Sequence, residues 1–115
     1  MQEFLLEWCT MQNGKIGLKL NSKTIKYYCS IANAKQYTLT VSNDSARGLL
    51  MYGVSSPGKQ FLYMIYIGYD ASSAINKIYD DYLERQFSVS YNKENFTLTI
   101  SSSVIVYGGI RILID

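Results

Sequence analysis

The sequence predicts a mainly β fold, an antiparallel and jelly-roll-like β-sandwich of about eight strands, with one short amphipathic helix near residues 70–84. Three observations support this prediction. Apolar and polar residues alternate along most of the chain, turn-forming residues separate the alternating runs, and a single segment changes to a helical period. A chain of 115 residues has room for one core, so we expect one β-sandwich domain over residues 1–115.

Alternation predicts half-buried strands, because successive side chains of a strand point to opposite faces of a sheet. In the first clear run, Ile16, Leu18 and Leu20 alternate with Lys15 and Lys19. The same period of two recurs over residues 25–31, 37–41, 87–91, 96–100 and 110–114. We interpret residues 1–12 as a further strand. Turn signals separate these runs at 13–14, 21–23, 43–47, 55–59 and 92–95.

Two runs, 48–54 and 60–69, are apolar on both faces. They predict either central strands or strands whose outer face contacts another subunit. On the second interpretation, the candidate residues of an oligomer interface are Met51, Leu62, Met64 and Tyr66.

Residues 70–84 depart from the period of two. Their apolar side chains fall at the spacing i, i+3, i+4, i+7 and i+8, and either Asp70 or Ser72 is suited to cap the first turn. The apolar set is Ile75, Ile78, Tyr79, Tyr82 and Leu83. The spacing predicts a helix of about three turns on a sheet edge, with Lys77, Asp81 and Arg85 forming ion pairs on its outer face.

The composition argues against several classes of partner. The net charge of +2 creates no overall field that would attract nucleic acid or an anionic membrane. The longest apolar run, Phe61–Tyr69, is too short to cross a bilayer, so we expect no membrane insertion. The first twelve residues carry acids where a signal peptide has basic residues, which predicts synthesis in a host cytoplasm without export. Without a secretory context, Cys9 and Cys29 are more typical of buried thiols than of a disulfide.

The chain contains no histidine, which removes the commonest general base and the commonest metal ligand. It also contains no phosphate-binding glycine loop. The acidic cluster of Asp80, Asp81 and Glu84 fits a salt-bridged surface better than an acid–base pair. We therefore expect a protein that is not an enzyme and that uses no metal and no cofactor.

A basic hairpin between residues 15 and 35 has two interpretations. No acid occurs between Trp8 and Asn43, and the predicted outward parity is shared by Lys15, Lys19, Lys26 and Tyr28. Lysine and tyrosine on one strand face are typical of platforms for single-stranded nucleic acid. Exposed lysines on strands also discourage edge-to-edge aggregation, and this stretch has no arginine to bind phosphate in bidentate fashion.

The tyrosine-rich doubly apolar strands suggest a ligand surface, because a tyrosine ring covers the apolar face of a sugar or partner while its hydroxyl forms a hydrogen bond. The competing interpretation is that these rings belong to the core. The turns beside the strands add polar groups, which gives a candidate ligand-binding rim of Asn43, Asp44, Arg47, Tyr52 and Tyr69.

Two stretches carry a resemblance to a known family: "KQYTLTVSNDSARGLLMYGV" and "FSVSYNKENFTLTISSSVIVYGGIRILID". Their pattern resembles the C-terminal β-sandwich modules of phage tail-fibre and receptor-binding proteins, in which a Y-T-x-T-V-like strand precedes a strand of small residues and a strand–turn–strand pair follows. The similarity covers about two-thirds of the chain, from Gln36 onward. It implies a virion location, a homotrimer, and contact with a cell-surface glycan or with another capsid or tail protein. No ligand residue of the family is carried over.

The sequence thus leads to an expected function and an alternative. The expected function is that of a non-enzymatic virion protein, structural or receptor-binding, that forms a homo-oligomer, with a trimer favoured, and contacts other virion proteins or a cell-surface glycan. The alternative is a small protein that binds a host target or single-stranded nucleic acid through the lysine-rich hairpin 15–35. A methionine at residue 1 departs from the family pattern, which has a shaft or attachment domain before the module.

Overall fold

The computed structural model describes residues 16–20, 23–43, 45–53 and 59–114, with side chains described from Tyr27 onward. The described residues form nine strands and no helix. In chain order the strands are β1 (Ile16–Leu20), β2 (Lys23–Ser30), β3 (Ala34–Thr40), β4 (Arg47–Gly53), β5 (Phe61–Ile67), β6 (Ser73–Asp80), β7 (Phe87–Asn92), β8 (Thr97–Val106) and β9 (Ile110–Ile114). The prediction of a mainly β fold is confirmed, whereas the predicted N-terminal strand over residues 1–12 lies outside the described residues.

The strands form two sheets. A six-stranded sheet has the order β1-β2-β9-β4-β5-β6, and a three-stranded sheet has the order β3-β8-β7. Every hydrogen-bonded pair of neighbours is antiparallel. The chain passes between the sheets four times, from β2 to β3, from β3 to β4, from β6 to β7 and from β8 to β9. As a result β9 lies inside the larger sheet, between β2 and β4.

One apolar core is shared by the two sheets. The smaller sheet contributes Tyr37, Leu39, Leu98 and Ile100, and the larger sheet contributes alternate residues of its three central strands. These alternate residues are Leu49, Met51, Phe61, Tyr63, Ile65, Ile67, Ile110, Ile112 and Ile114. The period of two in the sequence therefore arises from burial of one face of each strand.

The predicted helix near residues 70–84 is wrong. Residues 73–80 form β6, an edge strand of the larger sheet that pairs with β5. The pairing changes register between Tyr63–Lys77 and Leu62–Tyr79, so Ile78 is an additional residue in a β-bulge. A bulge interrupts the period of two, and the resulting spacing of Ile75, Ile78 and Tyr79 imitates a helical repeat. The segment also contains β-branched and aromatic residues, which favour a strand, but the prediction followed the spacing instead.

The junction of β8 and β9 depends on two glycines. Gly108 and Gly109 have φ angles of 85° and 76°, a region that side chains with a Cβ rarely adopt. The Gly108 N–H donates to Oδ1 of Asn33 at 2.8 Å. A Cβ on Gly109 would lie 1.9 Å from the carbonyl oxygen of Ser30, so the turn also requires glycine because β2 approaches it closely.

Cys29 on β2 is buried and takes part in a disulfide, in contrast to the buried thiol that the sequence favoured. Cys9 lies outside the described residues. No helix in the described part of the chain is long and apolar enough to cross a membrane.

Candidate functional site

The outward side of β4 and β5 carries large apolar side chains. Leu49 and Met51 of β4 point into the core, so their neighbours Leu50 and Tyr52 occupy the other side of the sheet. On β5 the same side carries Leu62, Met64 and Tyr66. We call these five residues, Leu50, Tyr52, Leu62, Met64 and Tyr66, the outer face. Cross-strand pairing places Leu50 beside Met64 and Tyr52 beside Leu62, so the outer face is contiguous.

The outer face is open to solvent in the single chain. Met64 is 39% exposed and Tyr66 is 47% exposed, although β5 is flanked by β4 and β6. The edge strand β6 extends the surface, because Met64 pairs with Asn76, Tyr66 with Ala74 and Leu62 with Tyr79. None of these residues is charged. A flanked strand in an ordinary antiparallel sheet exposes polar residues on its solvent side, so this surface is unusual for a monomer.

Met51 does not belong to this surface. Its side chain is 0% exposed and packs in the core, which corrects its assignment to a candidate interface. The sequence could not decide this point, because both parities of residues 48–54 are apolar and a shift by one residue exchanges the two faces of a strand. The other three predicted residues, Leu62, Met64 and Tyr66, lie together on the outer face.

One described member of the predicted ligand-binding rim, Tyr52, lies apart from the other described members. Arg47 begins β4, where its Nε donates to the carbonyl oxygen of Ser42 at 2.6 Å. Tyr69 is highly exposed in the turn after β5, at the same end of the sheet, because Arg47 pairs with Ile67. Tyr52 lies roughly 17 Å further along β4. Asn43 is half-buried just after β3, and Asp44 lies outside the described residues. Asn43, Arg47 and Tyr69 therefore lie at one end of the larger sheet, whereas Tyr52 lies apart from them.

The lysine-rich hairpin exists, but its predicted outward tyrosine points elsewhere. β1 and β2 pair with Gly17 opposite Lys26 and Lys19 opposite Thr24. Tyr28 pairs with the core residue Ile112, packs against the core, and donates its hydroxyl to the carbonyl oxygen of Thr38 at 3.3 Å. The outward orientation predicted for Tyr28 is therefore wrong. Lys15 and the side chains of Lys19 and Lys26 lie outside the described part of the structure.

A buried ion pair joins the end of β6 to the turn that follows it. Arg85 Nη2 lies 2.8 Å from Oδ1 of Asp80, and Arg85 Nε lies 3.0 Å from Oδ2, so the contact is bidentate. The two side chains are 3% and 1% exposed. Tyr63 donates its hydroxyl to Oδ2 of Asp80 at 2.7 Å. The guanidinium of Arg85 also lies 4.5 Å from the ring centroid of Phe61.

The bulge at Ile78 is what makes this ion pair available. Ser73, Ile75 and Lys77 pair with core residues of β5 and so lie on the inner side of β6. Without the extra residue, the next position on that side would be Tyr79 and not Asp80. With it, Asp80 pairs with the core residue Phe61 and turns inward. The spacing of a helix places Asp81, not Asp80, next to Arg85, so the ion pair was not predicted from the sequence. Asp81 instead accepts hydrogen bonds from the Gln60 N–H and the Tyr79 hydroxyl.

Burial and hydrogen bonding act in opposite directions on the pKa of Asp80. Burial alone raises it, but the hydrogen bonds from Arg85, Tyr63 and the Tyr82 N–H together lower the pKa below its ordinary value. The pKa of Tyr63 is raised, first by burial and then by its hydrogen bond to the Asp80 carboxylate. Tyr27 shares the burial effect, and its hydroxyl lies 3.4 Å from that of Tyr52, which also raises the pKa of Tyr27.

These raised tyrosine pKa values predict that the fold loses stability in alkali. Above pH 10 the unfolded chain ionises Tyr27 and Tyr63 while the folded chain keeps them protonated. The unfolded state then binds fewer protons, so the free energy of unfolding falls as the pH rises, by about 1.4 kcal/mol per pH unit for each such tyrosine. Urea denaturation at pH 9, 10 and 11 measures the slope. A Tyr63→Phe variant should lose part of it, and an unchanged slope in that variant would assign the effect to other groups.

Among the described residues no cluster of three or more metal-ligating side chains is present. The described residues form two contact surfaces, the apolar outer face and the charged region around Arg85. A signal for the outer face was present in the sequence as two doubly apolar runs, whereas the Asp80–Arg85 pair depends on a bulge that has no clear sequence signature. Comparison of the chain with protein-family models, with curated proteins and with solved structures finds no match.

Proposed function

We propose that this protein is a non-enzymatic virion protein, structural or receptor-binding, that assembles into a homo-oligomer, with a trimer favoured, through its outer face. The observation that carries the proposal is the exposure of Met64 and Tyr66 on a strand flanked on both sides within its sheet. Methionine and tyrosine are enriched at protein interfaces, and the cores of such interfaces are depleted in charge.

The partner at this surface is a second copy of the chain. The residues that form the outer face and its extension on β6 are uncharged, and the neighbouring cation on this side of the sheet, Arg111 beside Tyr52, is only 6% exposed. Apposing two copies at these residues therefore brings no exposed like charges together. An interface of ordinary size requires about 800 Å² from each partner, which corresponds to roughly 20–30 residues a side. The outer face would form the apolar centre of such an interface, with neighbouring polar residues around it.

The virion and receptor parts of the proposal rest on the resemblance to phage tail-fibre and receptor-binding modules. The strand order is consistent with a jelly-roll-related architecture, since β2 with β9 and β3 with β8 form two antiparallel pairs in opposite sheets. In this proposal the sheet beyond these pairs is extended by the meander of β4, β5 and β6, which presents the outer face. A cell-surface glycan or another virion protein is then contacted elsewhere on the molecule.

The proposal predicts that one charge on the outer face disrupts assembly and leaves the fold intact. The chain has a mass of 13.1 kDa, and light scattering of the unaltered protein should give about three times that mass. Met64→Lys and Tyr66→Lys should each shift the mass to that of a single chain, because burial of an unpaired charge costs several kcal/mol. Both side chains are exposed in the single chain, so the thermal unfolding temperature of the monomer should change little.

A matched control is available in Ile31. It is 43% exposed, between the values for Met64 and Tyr66, but it lies in the connection between β2 and β3. Ile31→Lys should leave the assembled mass unchanged. A single-chain mass for the unaltered protein, or assembly that survives both outer-face substitutions, would overturn the proposed interface.

A further inference from the structure

A cavity lies beside the buried ion pair, and Arg85 is one of its lining residues. It has a volume of about 430 Å³ and is bounded by the turn after β6, the second half of β8 with Tyr107 after it, the start of β3 and the residues that precede β5. Its lining side chains include Lys35, Lys59, Tyr82, Arg85, Ile105 and Tyr107. Pockets for small ligands span about 300–1,000 Å³, so this one accommodates a ligand of one or two sugar rings.

The cavity has an excess of positive charge. The charge of Arg85 is balanced by Asp80 behind it. Among the described residues, the ammonium groups of Lys35 and Lys59 have no carboxylate within ion-pair distance. Two carboxylates lie near the cavity: that of Glu84 accepts the Tyr82 hydroxyl at 3.1 Å, and that of Asp81 accepts the N–H of Gln60, the residue after Lys59. Because neither carboxylate forms an ion pair with Lys35 or Lys59, the two ammonium groups favour an anionic ligand.

The walls of the cavity are aromatic and apolar. Lys59 Nζ lies 5.2 Å from the ring centroid of Tyr82, so the cation is held at the edge of the cavity over an aromatic ring. Tyr107 is 57% exposed and Ile105 is 40% exposed. Their exposure leaves a phenol ring and an aliphatic side chain open to a ligand, next to the two ammonium groups.

The wall formed by Arg85 and the turn after β6 is held by hydrogen bonds. Arg85 is fixed by Asp80 and by the carbonyl oxygen of Lys59, which it reaches at 2.9 Å. The Ser103 hydroxyl donates to the carbonyl oxygen of Glu84 at 3.0 Å and accepts from the Gln86 N–H at 2.9 Å. These bonds hold the turn that carries Tyr82 against β8. A preformed wall reduces the entropy lost on binding.

We propose that this cavity binds a saccharide that bears a carboxylate. One face of a sugar ring is apolar and packs on Tyr107 and Ile105, its hydroxyl groups bond to the tyrosine hydroxyls, and its carboxylate lies between Lys35 and Lys59. The inference rests on the receptor-binding part of the proposed function and names the site and the class of glycan. All of its residues come from one chain, so the site does not depend on assembly.

Glucuronate and glucose provide a matched pair of probes, because they share a ring and differ by one carboxylate. Titration of each into isotope-labelled protein, followed by amide chemical shifts in nuclear magnetic resonance spectra, measures both affinity and location. Glucuronate should shift the amides of residues around Tyr82 and Ile105, and glucose should bind at least tenfold more weakly. Raising the salt concentration should weaken the binding of glucuronate.

Three variants and one control locate the site. Lys35→Gln, Lys59→Gln and Tyr107→Ala should each weaken the binding of glucuronate by about tenfold. Lys77→Gln removes the same charge from an exposed lysine on β6 that does not line the cavity, and it should leave affinity unchanged. Equal weakening by Lys77→Gln, or equal affinity for glucose, would overturn the inference.

Other anions separate the remaining outcomes. If inorganic phosphate or a short oligodeoxythymidine binds these residues more tightly than glucuronate, the cavity is not a sugar site, and the oligonucleotide result favours the nucleic-acid alternative. Light scattering of the same samples distinguishes this inference from the proposed assembly. An intact oligomer that does not bind glucuronate overturns the inference alone, and a monomer that binds it overturns the assembly alone.

Discussion

Asp80→Asn is expected to lower the free energy of unfolding by about 3–5 kcal/mol, because it leaves the Arg85 guanidinium buried without a counter-charge. The substitution keeps the shape of the side chain, so the loss reports the charge and its hydrogen bonds. Urea denaturation followed by far-ultraviolet circular dichroism measures the change at pH 7.

Two companion variants test the cause of this loss. Glu84→Gln removes a negative charge from an exposed position and should change the free energy of unfolding by at most about 0.5 kcal/mol. The double variant Asp80→Leu with Arg85→Met removes both charges and should recover much of the stability lost in Asp80→Asn. If Asp80→Asn is as stable as the unaltered chain, the ion pair contributes little and the burial of Arg85 is supported by its ring contacts.

The same ion pair makes the free energy of unfolding depend on pH in acid. The pKa of Asp80 is lower in the folded state than its ordinary value of 3.8, so the folded chain binds fewer protons there than the unfolded chain does. The stabilising contribution of Asp80 is complete at pH values above its ordinary pKa. It is lost as the pH falls through the lower pKa of the folded state. Unfolding measured between pH 5 and pH 2 should therefore show a smaller pH dependence in Asp80→Asn than in the unaltered chain.

Gly109→Ala is expected to destabilise the fold by at least 2 kcal/mol, on the order of the cost of a left-handed backbone added to a steric clash. The φ angle of Gly109 is 76°, and an added Cβ would lie 1.9 Å from the carbonyl oxygen of Ser30. The contacted atom is backbone, so relief requires β2 and β9 to move apart. Thermal unfolding measures the loss.

Gly48→Ala is the matched control for this prediction. Gly48 lies within β4, and a Cβ there would have no heavy atom within 4 Å. Glycine inside a strand is less favourable than alanine by roughly 0.5–1 kcal/mol, so Gly48→Ala should be neutral or slightly stabilising. Equal effects of the two substitutions would show that the turn between β8 and β9 tolerates a side chain.

Much of the fold was predictable, because a strand that buries one face has apolar and polar residues in alternation. Strand β3 and the first part of β8 alternate cleanly, with Tyr37 and Leu39 inside and Thr38 and Thr40 outside. Where both faces are apolar, as in β4, alternation no longer distinguishes core from surface, and Met51 was placed on the wrong side. In β6 a single bulged residue, Ile78, replaced the strand period with an apparent helical one.

The candidate sites were less predictable than the fold, since they depend on residues far apart in the sequence. Leu62, Met64 and Tyr66 belong to one strand, and their common face followed from their spacing. The cavity combines Lys35, Lys59 and Tyr107 with the turn after β6, and only the packing of β3 against β8 and of β6 beside β7 brings them together. The supporting pair of Asp80 and Arg85 required the bulge, which sequence spacing did not reveal.

The position of β9 has a consequence for how the protein forms during synthesis. Residues 110–114 separate β2 from β4, so before they leave the ribosome the larger sheet exists only as two unjoined parts, β1 with β2 and β4 with β5 and β6. The facing edges of β2 and β4 then offer unpaired backbone groups and apolar side chains to other nascent chains. The larger sheet is therefore completed only once β9 has been synthesised, and aggregation of the protein during expression should depend on how rapidly β9 inserts.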